Sequence, residues 1–252
     1  MNHRLVLRAA VVSAAMALAG CATAAGPTAA APSPARDTAA ACTAQVAANA
    51  IHPPGLNPDG PRPSAPEMQA YAATVEPHLA VVAQNAPDSL NDSLVVLKAQ
   101  VDGAKQGQPI DIGDPAGLAA SNAVNGWVHE SCGFQTLNVE SAGGELRGVP
   151  SALRPGPVAA RFTNSGPPES AGFVLLLARV RDGQSVTLDD LTAGRVQFDQ
   201  VADVLSGALP VPDGVGYLTA TLTPGRYLLA SPTGTPPDFD TVRYAELSVG
   251  ES

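Results

Sequence analysis

The sequence predicts an α+β chain in which a small N-terminal helical bundle is followed by an antiparallel β-sandwich. Three observations carry that expectation. Apolar residues recur at helical spacing four times between residues 37 and 133. Beyond Gly133 the period changes to short β-rich runs punctuated by Gly and Pro. The chain is 45% apolar and only 15% charged, so two modest cores can be built from its 252 residues.

The N-terminus comes first. Arg4 and Arg8 precede an apolar run from Ala9 to Ala19 that is broken only by Ser13. A run of that length falls short of the ~30 Å hydrocarbon core of a bilayer and suits a secretory h-region. It ends in Leu18-Ala19-Gly20-Cys21, which resembles a bacterial lipobox. The resemblance implies removal of residues 1–20 as a signal peptide and acylation of Cys21. Each chain on that sulfur would add ~0.8 kcal/mol per buried CH₂, and stable anchoring takes more than one chain. The protein is then expected to be exported and held on the extracytoplasmic face of a bacterial membrane, with the lipid bilayer as its partner. Residues 21–36 are mainly Ala, Pro, Ser and Thr and read as a disordered tether.

Cys42 and Cys132 are the two cysteines left once Cys21 is assigned to lipid. An exported chain meets oxidising conditions, and no CxxC spacing points to a metal or redox pair, so they are expected to form a disulfide.

The domain from 37 to 133 reads as four helices. Asp37 or Thr38 caps the first, with Cys42, Val46 and Ala50 on one face. A proline-rich stretch from Pro53 to Pro63 follows. Ser64 or Ala65, ahead of Pro66 and Glu67, starts the second helix, whose stripe is Met68, Tyr71, Val75, Leu79 and Val82. Pro77 should kink it. Pro87-Asp88 opens the third, with Leu90, Leu94, Leu97 and Val101 on one side. Asp114-Pro115 opens the fourth, whose inner face includes Leu118, Val124, Trp127 and Val128, and Cys132-Gly133 ends it. A Cys42–Cys132 bond would close this bundle. Asp111 and Asp114 read as a turn and a cap.

The domain from 134 to 252 offers strand runs at Thr136–Val139, Leu146–Val149, Val158–Thr163, Phe173–Val180, Tyr217–Leu222, Arg226–Ala230 and Tyr244–Val249. The continuous apolar run of Phe173 to Leu177 predicts a central strand. Thr187 caps a short turn containing Asp189 and Asp190, and residues 194–214 read as an excursion between strands.

Several pieces of this half resemble a cupredoxin-like domain of exported bacterial proteins. They are Leu153-Arg154-Pro155-Gly156, Phe162-Thr163-Asn164-Ser165-Gly166, the strand ending Arg179-Val180-Arg181-Asp182-Gly183, Leu222-Thr223-Pro224-Gly225-Arg226-Tyr227, and Ala245-Glu246-Leu247-Ser248-Val249. The resemblance implies a Greek-key sandwich. It also implies where copper would bind: two imidazoles, a thiolate and usually a thioether, with the thiolate and one His in the loop before the last strand. Here that loop, residues 231–243, holds no Cys, His or Met, and Ala171-Gly172-Phe173 stand where a first His can lie. Oxygen donors alone do not make a copper electron-transfer site. No cofactor is therefore expected.

Net charge −9 argues against nucleic-acid binding, and 4% aromatics leave little for base stacking. No nucleophile elbow, phosphate loop or dinucleotide fingerprint is present, so no catalytic residues are assigned. The function expected is a membrane-anchored, non-enzymatic binding or interaction module, with an envelope protein as a possible partner. The alternative is a metal-handling protein using His52, His78 and His129 of the helical half with carboxylates; Asp238 and Asp240 are the other candidate ligands for a metal.

Overall fold

The computed structural model describes residues 35–56, 60–142, 144–165, 172–210, 214–235 and 238–250. The signal peptide, Cys21 and the tether up to residue 34 lie outside the described residues. From Arg36 on, the chain forms one compact unit. The fold is α+β.

Helices α1 (Thr38–Asn49), α2 (Ala65–Asn85), α3 (Asn91–Lys105) and α4 (Pro115–Ser131) form in order, with a 3₁₀ turn at Asp88–Leu90 leading into α3. Their starts follow from their caps. Asp37 accepts the Ala40 N–H at 2.9 Å. Glu67 reaches back to the Ser64 N–H at 2.8 Å and hydroxyl at 2.6 Å. Asp114 accepts from the Gly117 N–H at 2.9 Å. Each side chain occupies a backbone group that a helix end leaves unpaired. Asp111 accepts the Gly113 N–H, as a turn requires. Pro77 stands at an exposed position, and α2 runs through it without interruption. The shared core is Met68, Ala72, Val75, Leu79, Val82, Leu90, Leu94, Val101 and Val124, with Tyr71, Leu97 and Trp127 half-buried beside it. The Cys42–Cys132 disulfide ties the first turns of α1 to the end of α4 across 90 residues.

Among the described residues nine strands follow. They are β1 (Gln135–Ala142), β2 (Glu145–Arg147), β3 (Ala152–Leu153), β4 (Gly156–Ser165), β5 (Leu175–Val180), β6 (Ala202–Ala208), β7 (Val215–Leu222), β8 (Gly225–Thr235) and β9 (Asp238–Val249). They make a four-stranded sheet, β2-β1-β4-β7, and a five-stranded sheet, β3-β9-β8-β5-β6. Both sheets are mixed, which corrects the expectation of a purely antiparallel sandwich: β1 pairs with β4 in parallel, and so does β3 with β9. The cause is β3. After the β1–β2 hairpin the chain crosses to the other sheet and returns, so β4 reaches β1 by a crossover rather than a tight turn. β5 lies between β8 and β6, in the sheet interior.

The inner faces share one core. It takes Leu137 and Val139 from β1, Val158, Ala160 and Phe162 from β4, Leu175 and Leu177 from β5, and Leu218, Tyr227, Leu229 and Leu247 from later strands. Tyr227, wholly buried, uses its hydroxyl on its own turn, accepting the Thr223 N–H and donating to the Thr223 carbonyl, both at 2.8 Å. That tie fixes the β7–β8 corner.

The outer faces are covered differently. On the five-stranded sheet, α5 (Leu188–Thr192) and α6 (Phe198–Val201) place Leu191 and Val201 over Ala178, Val180 and Leu228. Thr187 and Asp190 cap α5 reciprocally; the Thr187 hydroxyl, and after it the Arg195 guanidinium, holds the Asp190 carboxyl below its usual range. On the four-stranded sheet, α1 and α4 press against β4 and β7. Ala159 and Thr219 alternate with core residues, so they point outward, yet they are 0% and 1% exposed.

Candidate functional site

The helical cover is held by amides. Asn122 on α4 accepts the Tyr217 N–H at 2.7 Å and donates to the Leu209 carbonyl at 2.9 Å. Asn125, one turn on, donates to the Tyr217 carbonyl at 3.5 Å. Its own carbonyl oxygen accepts from Gln45 and Asn49 of α1, and Asn49 also donates to the Thr219 hydroxyl at 2.7 Å. β7 is an edge strand, and these side chains satisfy the peptide groups a further strand would have taken. Gly126 lets α4 approach: a Cβ there would stand 3.3 Å from the Tyr217 ring.

The sequence-predicted histidines are distributed along this same boundary and over the bundle. His52 is exposed, and its Nε2 lies 2.9 Å from the Leu205 carbonyl on β6. His129 is half-buried with its ring 5.7 Å from that of Tyr217, and its Nε2 is buried without a hydrogen-bond partner. His78 is half-buried on α2. Among the described residues no group of three or more His, Cys, Asp or Glu side chains is placed to hold a metal ion.

At the far end of the strands two segments converge. Residues 231–243, expected as a loop, are instead the outer half of a long hairpin: β8 and β9 stay paired through Thr233↔Thr241 and Thr235↔Asp238, with one register shift that leaves Asp240 as the extra residue. Pro232 is tolerated because its nitrogen faces the side where β5 has already ended; the last β5–β8 pair is Leu176↔Ala230. On that side the chain entering β5 takes over. The Phe173 N–H donates to the Pro232 carbonyl at 2.8 Å, and Gly172 bridges to Thr233.

Between the sheets at this end the core changes character. Continuing the inward alternation of Tyr227 and Leu229 come Ser231 and Thr233, both buried. The Thr233 hydroxyl lies 2.9 Å from that of Thr241. Arg243 donates across to the Ser141 hydroxyl on β1 at 2.8 Å. Asn164 on β4 pairs with the Gly172 peptide in both directions, at 2.7 and 2.9 Å. The Ser231 Oγ is buried without a hydrogen-bond partner. Gly172 has no alternative, because a Cβ would fall 2.2 Å from that Oγ and 2.9 Å from the Phe162 ring.

Outside this polar end sit Phe173 and Phe239, 40% and 39% exposed, with ring centroids 5.6 Å apart. Asp240, beside Phe239, is exposed. The Asp238 side chain lies outside the described ones. The assembled groups are hydroxyls, one amide, one guanidinium and an aromatic pair. Sequence reasoning located both segments but not what they share. The continued alternation of Ser231 and Thr233 after Tyr227 and Leu229 was the available signal, hidden by the prolines and glycine around it.

No protein-family model matches this chain, and no curated protein shows significant similarity to it.

Proposed function

We propose that this is an exported lipoprotein, held on the extracytoplasmic face of a bacterial membrane through acylated Cys21. Its strand half is then a cupredoxin-like Greek-key module that has lost its copper ligands and acts by non-enzymatic binding. One observation carries the binding role. The two segments in which the resemblance places the ligands do meet, and they meet on Phe173 and Phe239 over Asn164, Ser231, Thr233 and Arg243. An imidazole–thiolate set would favour copper. Hydroxyls, an amide and a guanidinium offer no soft donor for a copper ion. The strand order, the crossover between sheets and the Tyr227 tie support the Greek-key reading. The leader and its Leu18-Ala19-Gly20-Cys21 ending support the anchor.

Two measurements test this. Titrating the chain from Ala22, which keeps the whole compact unit, with Cu²⁺ and Zn²⁺ should show no stoichiometric tight site; tight binding abolished by His→Ala changes would favour the metal-handling alternative instead. In the full chain, labelled palmitate should enter the protein, and Cys21→Ala should abolish the labelling and move the protein from the membrane to the soluble fraction. Retention of Cys21→Ala on the membrane would sink the anchor.

A further inference from the structure

We infer that the outer edge of β9 between Val242 and Glu246 takes up an extended polypeptide segment of another protein as an added strand. The inference rests on the non-enzymatic binding role proposed above, and it names the surface and the partner's chemistry.

Two independent observations fix which backbone groups point outward. In an antiparallel pair a strand turns the N–H and C=O of alternate residues toward its neighbour and those of the residues between them away. Val242 stands opposite Pro232, which has no N–H to exchange, so the Val242 peptide groups face away from β8. Further along, the Ser248 N–H donates to the Ser151 carbonyl at 3.0 Å, on the side of β3. The two residues agree in parity, and the pairing of β8 with β9 is regular between them, its one shift lying beyond Thr241. Val242, Tyr244 and Glu246 therefore present their N–H and C=O groups outward, in steps of roughly 7 Å.

Among the described residues nothing takes these groups. β3 covers only Ser248 and Val249. It stops there because Pro150 precedes it and because at Gly148 the chain is pressed onto the other sheet, where a Cβ would stand 2.1 Å from the Asn138 carbonyl oxygen on β1. Val242 and Tyr244 are half-buried and Glu246 is exposed, as on a strand with one open side. The edges across the sandwich are treated differently: His52 reaches the Leu205 carbonyl on β6, and Asn122 takes the Tyr217 N–H on β7. An edge left unpaired in a molecule that covers those is a template for a further strand.

The chemistry of the occupant follows from the groups on offer. Donors and acceptors alternating at strand spacing match the backbone of an extended polypeptide. Its side chains would fall by turns beside Ala245, which packs on the sandwich core, and beside Tyr244, whose ring lies 6.0 Å from that of Phe198. Both neighbours call for uncharged, β-branched side chains. β3 already behaves this way, with Leu153 packed on the core and Ala152 exposed. Charge disfavours a second copy as the occupant, since each chain carries −9. β9 is paired with β8 along its length, so the edge is ready-made and binding orders little of it.

The experiment uses the full chain in detergent micelles and an acetylated, amidated octapeptide of alternating valine and threonine between one lysine and one glutamate. A second peptide is identical except that every backbone nitrogen is methylated. Amide exchange is followed by NMR. In the free chain the Val242, Tyr244 and Glu246 amides should exchange about tenfold faster than those of Arg243, Ala245 and Leu247, and saturating first peptide should remove that difference. The methylated peptide should bind about tenfold more weakly. Val242→Pro removes an outward N–H and none that β8 uses, so it should weaken binding as much while the melting temperature stays unchanged. If that variant does not fold, the exchange pattern of the native chain decides alone. Equal binding by both peptides would overturn the proposal, as would no saturable binding, or binding that leaves the three amides as fast as before. Slow exchange of the three in the free chain would overturn it too, and if that protection grows with protein concentration a second copy holds the edge. Copper binding is measured on the same preparation. A copper-free chain that ignores the peptide defeats the edge alone, whereas tight copper uptake defeats the reading beneath it.

Discussion

Asn122 shows how much one side chain can decide in this molecule. It is 7% exposed and serves two backbone groups from different strands' surroundings, Tyr217 N–H and Leu209 C=O. Replacing it with Ala leaves both without a partner near a buried boundary, at about 1–3 kcal/mol for each group. Asn122→Ala should therefore destabilise the protein by roughly 2–6 kcal/mol in chemical denaturation; a change below 0.5 kcal/mol would mean water replaces the amide. Glu67 gives a pH prediction. The Ser64 hydroxyl first, and then the Ser64 N–H, hold its carboxyl below the usual value of 4.5. A lowered folded value means that the contribution is present above the unfolded pKa and is lost as pH falls through the folded one. Between pH 5 and pH 3 the melting temperature of the native chain should fall further than that of Glu67→Gln.

Elements were legible where local chemistry speaks for itself. Asp37, Ser64 and Asp114 announce three helices because a cap must sit next to the groups it satisfies. The stripe from Met68 to Val82 is buried as its spacing requires. What escaped depends on partners distant in sequence. Asn122 and Asn125 carry no local signal of their role, since the strand they cover comes about ninety residues later. β6 was hidden inside an excursion because Phe198, Val201 and Leu205 mimic helical spacing, and only pairing with β5 makes Ala202–Ala208 a strand. Residues 231–243 looked like a loop because prolines and a glycine interrupt them, although β9 supplies a partner at nearly every step. At this scale the disulfide is the joint between the first and last helices. Replacing Cys42 and Cys132 with Ser should lower stability by roughly 4–5 kcal/mol, from the entropy a loop of this length regains in the unfolded chain. Urea denaturation with and without reductant reads it directly, and a loss under 1 kcal/mol would show that α1 and α4 are held by packing alone.

For the whole molecule, the helices are a third layer on a two-sheet core, and the third layer is what closes the open side between β6 and β7: His52 reaches Leu205, Asn122 reaches both Leu209 and Tyr217. Gly126→Leu should test that arrangement, since a larger side chain meets the Tyr217 ring where even a Cβ stands at 3.3 Å. The expected outcome is faster amide exchange in β7 with the core strands β4 and β8 still protected; uniform loss of protection would mean that the sheets cannot stand without their helical cover.

The Cys42–Cys132 bond also has a mechanical meaning. A pull applied through the residues ahead of Arg36 travels along the first turn of α1, crosses the sulfur bridge and arrives at β1, because Gln135 follows Cys132 by three residues. The residues enclosed by that 90-residue separation carry none of the load. Stretched in an optical trap, the oxidised protein should lengthen hardly at all before its sheets rupture. With the bridge reduced, an additional extension of roughly 300 Å becomes accessible as the bundle unravels. The bond thus acts as a strain relief, letting a tugged molecule keep its helical layer in place while the strands bear the tension.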